Sequence, residues 1–480
     1  MADPDDEVGR LAASVRRGSV IAAAGCGKTE QIVRGVAFCD RRRLILTHTH
    51  AGVDAVRRRL RLRQIPSDKY EVHTIAGWCL RLAVAFPRRS EIAHGAPGSQ
   101  DEWNEVYAAT ARLLESRAVN PVIGASYGGL FVDEYQDCTR EQHDVIRLLA
   151  DQLPTCVFGD PMQAIFDFRD QQPVRWSEDV FPTFPHAAEL TTPWRWKNAG
   201  NEQLSRWVQG LRCGLERDAT VDVSPRAPCV SWAVLPVEPE FRQRAVIAEC
   251  LRAMNDGETM IVICDGANTN ARAALAQKLA RKGFSTVEPI GCKDLYEAAG
   301  AIEEASGVGR VVAALAFASK CMSGTQKTSL ERAVRSQGAV GRCGGARTGS
   351  ALHYAHEVVR SNCFLAVDSM LAALQSRAGA HLFRREMLFA MRSALQIRGT
   401  LQGGSLPDAV WEVQNRIRHA GRRLPQRSVG STLLVKGLEC DRAVVVHAKN
   451  MSKKDWYVAL TRATKGIRVI APAMTFTPPR

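Results

Sequence analysis

The sequence predicts an α/β protein with two domains, each built on a parallel sheet and each carrying a largely helical insertion. Short apolar runs end in a polar or small residue, and helical patterns separate many of them. Strands that alternate with helices are typical of parallel sheets covered on both faces. The runs fall into two groups, at 19–160 and 260–472, whereas 81–128 and 301–424 lack strand character. The predicted strands are SVIAA (19–23), LILT (44–47), LFVD (130–133), TCVFGD (155–160), MIVICD (260–265), AVVVHA (443–448) and IRVIAP (467–472).

Length and composition agree with a multi-domain globular protein. The chain has 480 residues, of which 45% are hydrophobic and 24% charged. No apolar run approaches the roughly 20 residues that span a bilayer, and the N-terminus MADPDDEVGR lacks an apolar signal core. The 14 cysteines show no CxxC spacing, which argues against zinc or an iron–sulfur cluster. We therefore expect a cytosolic protein with no membrane partner.

The charge balance favours a polyanionic partner. The formal net charge is +14, and residues 310–427 alone hold 18 Lys and Arg against 6 Asp and Glu. Nucleic acid is the commonest polyanion bound by basic proteins. A solvated Arg-rich surface is the alternative interpretation of the same charge.

Residues 22–29, AAAGCGKT, fit the [AG]xxxxGK[ST] pattern of a phosphate-binding loop between a strand and a helix. Small residues let backbone N–H groups wrap around phosphate oxygens, which the N-terminus of the following helix also attracts. Lys28 would bridge the β- and γ-phosphates of ATP, and the Thr29 hydroxyl would bind Mg²⁺. The predicted ATP-binding residues of the loop are Ala22, Ala23, Ala24, Gly25, Cys26, Gly27, Lys28 and Thr29.

A second carboxylate site follows the predicted strand in GGLFVDEYQD (128–137). Ligands of open α/β sheets bind at the carboxyl ends of the strands, so Asp133 and Glu134 should lie beside the phosphate loop. Asp133 would hold Mg²⁺, and Glu134 would accept a proton from the attacking water. This division of roles favours hydrolysis over phosphoryl transfer to a second substrate.

Five motifs in this order, AAAGCGKT, VDEYQD, GDPMQAIFDFR, KGLECD and YVALTRATK, resemble those of the UvrD/PcrA/Rep-like superfamily 1 helicases. The resemblance implies two RecA-like P-loop NTPase domains with ATP in the cleft between them, and ATP-driven movement along single-stranded DNA, usually 3′ to 5′. It places the first RecA-like domain at 1–80 and 129–190, with a short helical insertion at 81–128. The second domain would comprise 191–300 and 425–480, with a basic helical insertion at 301–424.

The resemblance also assigns roles to single residues. Gln163 would sense the γ-phosphate, because an amide can both donate to phosphate and accept from water. Arg195 and Arg462 resemble the family's two arginine fingers, expected to come from the second domain. Trp194 stands where a Tyr usually stacks on adenine, with core packing as the alternative, and Glu439 matches a position near the ribose.

The DNA-binding candidates combine hydroxyl groups, aromatic rings and one arginine, as contacts to backbone and bases of single strands require. The three histidines, 48, 50 and 73, could instead be a metal site, since 48 and 50 share a strand face, but no suitably spaced acid or Cys completes a ligand set. The candidates are Thr47, His48, Thr49, His50, His73, Thr74, Phe166, Phe168 and Arg169.

The chain departs from the family pattern at several positions. Residues 1–30 contain no Gln, although the family reads adenine with a Gln upstream of the loop. His48 and His50 replace an aromatic residue and an Asn, and Leu433 replaces a common His. These differences bear on nucleotide selectivity and on the coupling of DNA to ATP.

The leading hypothesis is an ATP-dependent DNA helicase or translocase. The alternative is a DNA-responsive ATPase switch that regulates a partner nuclease in phage defence or repair without processive unwinding. A small-molecule kinase is disfavoured, because nothing marks a site for a phosphoryl acceptor. The chain is similar in size to helicase components of bacterial anti-phage systems such as Gabija, which suggests a nuclease subunit as partner besides ATP and single-stranded or tailed DNA.

Overall fold

The structure is a computed structural model that describes residues 4–93, 95, 97–166, 172–217, 220–224, 228–253, 255–289, 291–338, 347–400, 404–420 and 425–479. The chain divides into two compact units. The first comprises Met1–Ala219 and Lys453–Thr461, and the second comprises Thr220–Ser452 and Arg462–Arg480.

The first unit is built on a six-stranded sheet with the order β3-β2-β4-β5-β1-β6, in which all neighbouring strands pair in parallel. All residues of β2, β4 and β5 are buried, as expected for strands covered on both faces. The strands are β1 (Arg17–Ala22), β2 (Arg43–Thr47), β3 (Tyr70–Thr74), β4 (Gly129–Val132), β5 (Thr155–Gly159) and β6 (His186–Leu190).

Helices cover this sheet and enclose two apolar clusters, one centred on Ile32, Ile45 and Phe158 and the other on Leu46, Leu113 and Val157. Single 3₁₀ turns lie at Ser67–Lys69, Tyr135–Asp137 and Pro161–Gln163, and a π turn at Trp176–Val180. The α-helices are α1 (Pro4–Ser14), α2 (Lys28–Ala37), α3 (His50–Leu62), α4 (Ile75–Ala85), α5 (Pro87–Ser90), α6 (Gln100–Glu115), α7 (Asn120–Ser126), α8 (Arg140–Gln152), α9 (Phe181–Thr183), α10 (Trp194–Asn198) and α11 (Glu202–Glu216).

The second unit contains another parallel six-stranded sheet, with the order β10-β13-β9-β14-β15-β8. Two short antiparallel pairs, β7 with β16 and β11 with β12, form separate two-stranded sheets. The strands are β7 (Val221–Asp222), β8 (Val230–Val234), β9 (Met260–Cys264), β10 (Phe284–Thr286), β11 (Met322–Ser323), β12 (His381–Leu382), β13 (Arg427–Ser431), β14 (Cys440–Val446), β15 (Ala463–Ala471) and β16 (Thr475–Phe476).

A helical subdomain with its own apolar core is inserted between β10 and β13. The core joins residues from Cys292 to Val413, with Leu315, Leu371 and Met391 fully buried. A 3₁₀ turn lies at Ala280–Lys282. The helices of the inserted subdomain are α14 (Lys293–Glu304), α15 (Gly307–Cys321), α16 (Lys327–Gly338), α17 (Ala351–Ser361), α18 (Phe364–Gln375), α19 (Arg385–Thr400) and α20 (Leu406–Ala420). The remaining helices of the chain are α12 (Pro239–Arg252), α13 (Thr269–Leu279), α21 (Thr432–Val435) and α22 (Lys453–Leu460).

The predicted α/β class with two parallel sheets is confirmed. Two details of the expected organisation differ. The short strands β11 and β12 lie inside 301–424, where the sequence shows no strand character. The first unit extends past 190 to Ala219 and also includes Lys453–Thr461, both of which the resemblance assigned to the second domain. None of the described helices is long and apolar enough to cross a bilayer.

Candidate active site

The loop between β1 and α2 has the backbone shape that its small residues permit. Gly25 and Gly27 have φ angles of 76° and 84°, in the left-handed region that favours glycine. A Cβ on Gly25 would lie 2.8 Å from Arg195 Cβ, and the Arg195 backbone N–H donates to Gly25 O at 3.1 Å. The α10 segment therefore packs directly on the loop, and position 25 has no room for a larger residue.

The predicted carboxylates lie beside this loop. Asp133 and Glu134 follow β4, and the Thr29 hydroxyl donates to Asp133 Oδ2 at 3.1 Å. Lys28 Nζ is 3.8 Å from Glu134 Oε1. The backbone of Glu134 is left-handed, with φ 55°, and its N–H donates to Asp133 Oδ1 at 2.9 Å. The structure thus brings together Lys28, Thr29, Asp133 and Glu134 at the carboxyl edge of the first sheet.

The charges of these buried groups influence one another. Burial opposes protonation of Lys28, but the neighbouring carboxylates of Glu134, Asp160 and Asp133 outweigh it and raise the pKa of the ammonium above its ordinary value. Burial and the charge of Glu134 raise the pKa of Asp133 to about 6, against the opposing effect of Lys28. Lys28 is therefore a stable cation, and Asp133 is a carboxylate that lacks sufficient positive charge around it.

Two oxygen ligands fit a magnesium ion at this site. Mg²⁺ prefers hard oxygen donors and usually keeps several waters in its shell. The Thr29 hydroxyl and the Asp133 carboxylate are adjacent, and a cation would relieve the destabilised negative charge of Asp133. The pair suits the predicted magnesium role.

Gln163 lies on the turn that follows β5. Its Nε2 donates to Asp160 Oδ2 at 2.8 Å. Asp160 is fully buried, and its backbone N–H donates to Gln136 Oε1 at 2.9 Å. The Gln136 side-chain amide in turn donates to Glu134 Oε2. A chain of hydrogen bonds thus connects Gln163 to the predicted general base.

Two further residues that the sequence did not single out join this chain. Arg212 of α11 donates from Nη1 to Asp160 Oδ1 at 2.8 Å and to the Tyr457 hydroxyl at 3.0 Å. Tyr457 of α22 also accepts from the backbone N–H of Ala24 at 3.0 Å. Tyr457 lies inside the motif YVALTRATK, and Asp160 lies inside GDPMQ, so the motifs could have identified both residues as candidates. Arg212 has no motif around it.

Trp194 and Arg195 also border the loop. Trp194 Cδ1 is 3.4 Å from the position of a Cβ on Gly27, and the ring is half-buried. Arg195 Nη1 donates to Thr461 O at 2.6 Å. Arg195 belongs to the same unit as the loop, so the expectation that it comes from the second domain is wrong. The backbone of Arg195 is hydrogen-bonded to Gly25, and sequence motifs alone do not reveal this contact.

The other two residues predicted at the nucleotide lie in the second unit. Arg462 follows α22 and is 1% exposed, and its Nη1 lies 3.5 Å from Leu438 O. Glu439 is exposed, immediately before β14. Their roles at the nucleotide stay predictions.

The first DNA candidates lie where two neighbouring parallel strands end. Thr47 of β2 is in register with Thr74 of β3. Thr49 and Thr74 cap α3 and α4, accepting from the Gly52 and Gly77 N–H groups at 3.0 Å. Two helix N-termini therefore begin at the same sheet edge, an arrangement that attracts phosphate.

The histidine candidates have protein partners. His48 Nε2 lies 3.3 Å from Cys138 Sγ, and His73 Nε2 lies 2.8 Å from Glu71 Oε1. His50 begins α3, and Phe166 is half-buried. Phe168 and Arg169 lie outside the described residues. The DNA roles of all these residues stay predictions.

The comparisons with known proteins agree with the motifs. Residues 98–177, which include Asp133, Glu134 and Gln163, match the UvrD/REP helicase N-terminal domain. The predicted resemblance to this family is therefore confirmed.

Individual relatives match smaller or more distant parts. The chain is 36% identical over 63 residues to the Gabija protein GajB of Bacillus cereus (strain VD045), covering 13% of each protein. Two solved structures of the arterivirus helicase nonstructural protein 10, with and without DNA, are 11% identical in sequence to this chain. Their TM-scores are 0.36 and 0.35, and each comparison covers 97% of this chain. The chain spans 63% and 62% of the two viral chains and 13% of GajB, which is less than two thirds of the length of each.

Proposed function

We propose that this protein is an ATP-dependent DNA helicase or single-stranded DNA translocase of the UvrD/Rep type, moving 3′ to 5′. The observation that carries the proposal is the assembly of Lys28, Thr29, Asp133 and Glu134 beside one glycine-bearing loop. Each group is of the type that nucleotide hydrolysis needs, and all four lie within one unit.

The residues divide the chemistry of hydrolysis among them. Lys28 neutralises charge on the terminal phosphates, and Glu134, whose side chain is 35% exposed, accepts a proton from the attacking water. Thr29 and Asp133 hold Mg²⁺, which neutralises charge on the β- and γ-phosphates when bound. Trp194, half-buried beside Gly27, offers a ring for the adenine base. Gln163 contacts the γ-phosphate side of the site, and Arg462 is the proposed arginine finger.

DNA is the proposed polyanionic partner. The ends of β2 and β3 present Thr47, His48 and Thr74 together with the N-termini of α3 and α4. A net charge of +14 favours a phosphate backbone as ligand.

ATP turnover measured with and without single-stranded DNA and RNA tests the proposal. We expect hydrolysis that rises on addition of single-stranded DNA, and displacement of the strand from a 3′-tailed duplex. Turnover that ignores DNA would contradict the DNA-dependent motor. A duplex left intact despite strong DNA-stimulated hydrolysis would favour the regulatory switch instead.

A second part of the proposal is a role in antiviral defence in the bacterial cytosol with a nuclease as partner. The short match to the Gabija protein GajB supports the role in defence. Affinity purification of the tagged chain from its host should recover a nuclease subunit. A tagged Lys28→Ala variant serves as the matched bait, because binding of a partner does not require hydrolysis. Purification that yields the chain alone would contradict this part.

A further inference from the structure

Arg212 is mostly buried, unlike a typical surface arginine. Its side chain is 12% exposed and pairs with a carboxylate that is 0% exposed. The pair lies next to the turn that carries Gln163, and the same carboxylate accepts from both side chains. Leaving a buried charge uncompensated is costly, so Asp160 requires a cation at this place.

The chemistry of Asp160 decides which end of the Gln163 amide faces it. A carboxylate has acceptor oxygens and no hydrogen to donate. Its partner on Gln163 must therefore be the NH₂ group, as the 2.8 Å Nε2 to Oδ2 distance shows. The carbonyl oxygen Oε1 is then the end of the planar amide that does not contact Asp160. A protonated or amide side chain at position 160 would allow the reverse orientation.

We propose that Arg212 is a positioning residue for nucleotide hydrolysis. By pairing with the Asp160 carboxylate, it orients the Gln163 amide so that Oε1 accepts a hydrogen from the attacking water. The sequence predicts that the Gln163 amide contacts both phosphate and water. In this arrangement one N–H donates to Asp160, and the carbonyl oxygen accepts from the water. This inference rests on the proposed function.

Tyr457 gives the arrangement a second, separable contact. Its hydroxyl accepts from Arg212 Nη1 and from the Ala24 N–H, both at 3.0 Å. Removing this hydroxyl leaves the pair between Arg212 and Asp160 in place, while it releases a backbone donor of the phosphate loop. Tyr457 should therefore influence nucleotide affinity, whereas Arg212 should influence the chemical step.

The experiment is steady-state ATP hydrolysis at saturating single-stranded DNA, with ATP affinity and thermal unfolding measured on the same preparations. Arg212→Met and Asp160→Asn should each lower kcat by about tenfold to a hundredfold, with KM for ATP close to wild type. Arg212→Met should also lower the unfolding temperature, because the buried carboxylate of Asp160 loses its partner, whereas Asp160→Asn removes that carboxylate and should unfold closer to wild type. Arg212→Lys should restore part of kcat, because the ammonium can still pair with Asp160. Arg206→Met removes an exposed arginine from the same helix and should leave kcat unchanged.

A further readout separates orientation of water from general damage. Arg212→Met should bind ADP with beryllium fluoride, which mimics the bound γ-phosphate, as wild type does. It should bind ADP with aluminium fluoride, which requires the in-line water, more weakly. Tyr457→Phe should raise KM for ATP more than it lowers kcat.

Three outcomes would overturn the proposal. The first is wild-type kcat in Arg212→Met. The second is a loss of ATP affinity in Arg212→Met as large as its loss of kcat, which would assign Arg212 to structure alone. The third is a loss of kcat in Tyr457→Phe as large as in Arg212→Met. A wild-type chain without nucleotide turnover would instead refute the proposed function, and the inference with it.

Discussion

Lys28 lies among three carboxylates, and its charge is the basis of the residue-scale expectations. Glu134, Asp160 and Asp133 all favour its protonated form. Once polyphosphate is bound, the same cation would meet the largest negative charge in the site. The loop geometry and the carboxylates would supply the remaining parts of the proposed hydrolytic centre.

Lys28→Ala should abolish ATP hydrolysis and weaken nucleotide binding, because phosphate charge is no longer neutralised. Glu134→Gln should bind ATP with near wild-type affinity but lower kcat by about a hundredfold or more, because the amide cannot accept the proton of water. Turnover assays and fluorescent nucleotide titrations measure both effects. Wild-type turnover in either variant would contradict the assigned roles.

Asp133→Asn should stabilise the protein when nucleotide and Mg²⁺ are absent. The folded state raises the pKa of Asp133 to about 6, so its ionisation lowers stability as pH rises from the ordinary value through 6. Urea unfolding in EDTA at pH 7.5 should show a gain on the order of 1–3 kcal/mol, which disappears at pH 4. The side-chain amide oxygen of the variant can still accept from the Glu134 N–H, and its NH₂ group can donate to the Thr29 hydroxyl.

An equal gain at both pH values would show that charge is not the cause. Adding Mg²⁺ with nucleotide should reverse the order of stability, since the neutral amide of the variant is a weaker metal ligand than the carboxylate of Asp133. Glu115→Gln, at an exposed helix end, serves as the control for removing a carboxylate.

The sequence could predict part of the site at this scale. Lys28, Thr29, Asp133 and Glu134 are adjacent because each follows a buried strand of the same parallel sheet, and strand order brings their ends together. Arg212 could not be predicted in the same way. Its partner Asp160 is 52 residues away, and the contact depends on how α11 packs.

At the scale of elements, β3 is connected to two helices by one carboxylate. Glu71 accepts from the Tyr127 hydroxyl at 2.9 Å, from Arg81 at 2.6 Å and pairs with His73 at 2.8 Å. Burial alone would raise the pKa of Glu71, but these hydrogen bonds lower it to about 2. The candidate DNA residue His73 is thus held in place by its own strand.

Glu71→Gln should destabilise the fold at neutral pH. A lowered carboxyl pKa contributes stability above its ordinary value, and that contribution is lost as pH falls towards 2. The variant should lose about 1–2 kcal/mol at pH 7 and less at pH 3.5, measured by urea unfolding. An identical loss at both pH values would point to hydrogen bonding without charge.

Interior and edge strands differ in how well the sequence reveals them. The predicted LILT and LFVD runs lie within one residue of β2 and β4, because strands covered on both faces are continuously apolar. The edge strands β3 and β6 were missed, since only part of their residues is buried. The interior strand β13 was missed for another reason: it buries Ser428 and Ser431, which look like loop residues.

At the scale of the whole molecule, the net charge of +14 predicts salt-sensitive DNA binding. Contacts to phosphates release counterions, so the logarithm of affinity should fall linearly with the logarithm of salt concentration. Fluorescence anisotropy with labelled oligothymidine at several NaCl concentrations measures the slope. A peptide nucleic acid of the same sequence, which lacks phosphates, is the control and should bind weakly. A flat response with DNA would assign the basic residues to a solvated surface.

The division of the chain into units was the least predictable feature. Arg195 and Tyr457 lie in segments that the motifs assign to the second half, yet both contact the phosphate loop within the first unit. Membership of a unit depends on contacts between distant segments. Spacing along the chain carries no such information, whereas the alternation of strands and helices is enough to predict the α/β class.

Three hydrogen bonds hold the backbone of the phosphate loop. The Arg195 N–H donates to Gly25 O, the Cys26 N–H donates to Ala23 O, and the Ala24 N–H donates to the Tyr457 hydroxyl. The conformational entropy of the loop has consequently been given up during folding. A nucleotide would therefore bind to a loop that is already ordered. Its affinity carries no cost for ordering the loop, and no slow rearrangement of the loop limits the rate of binding.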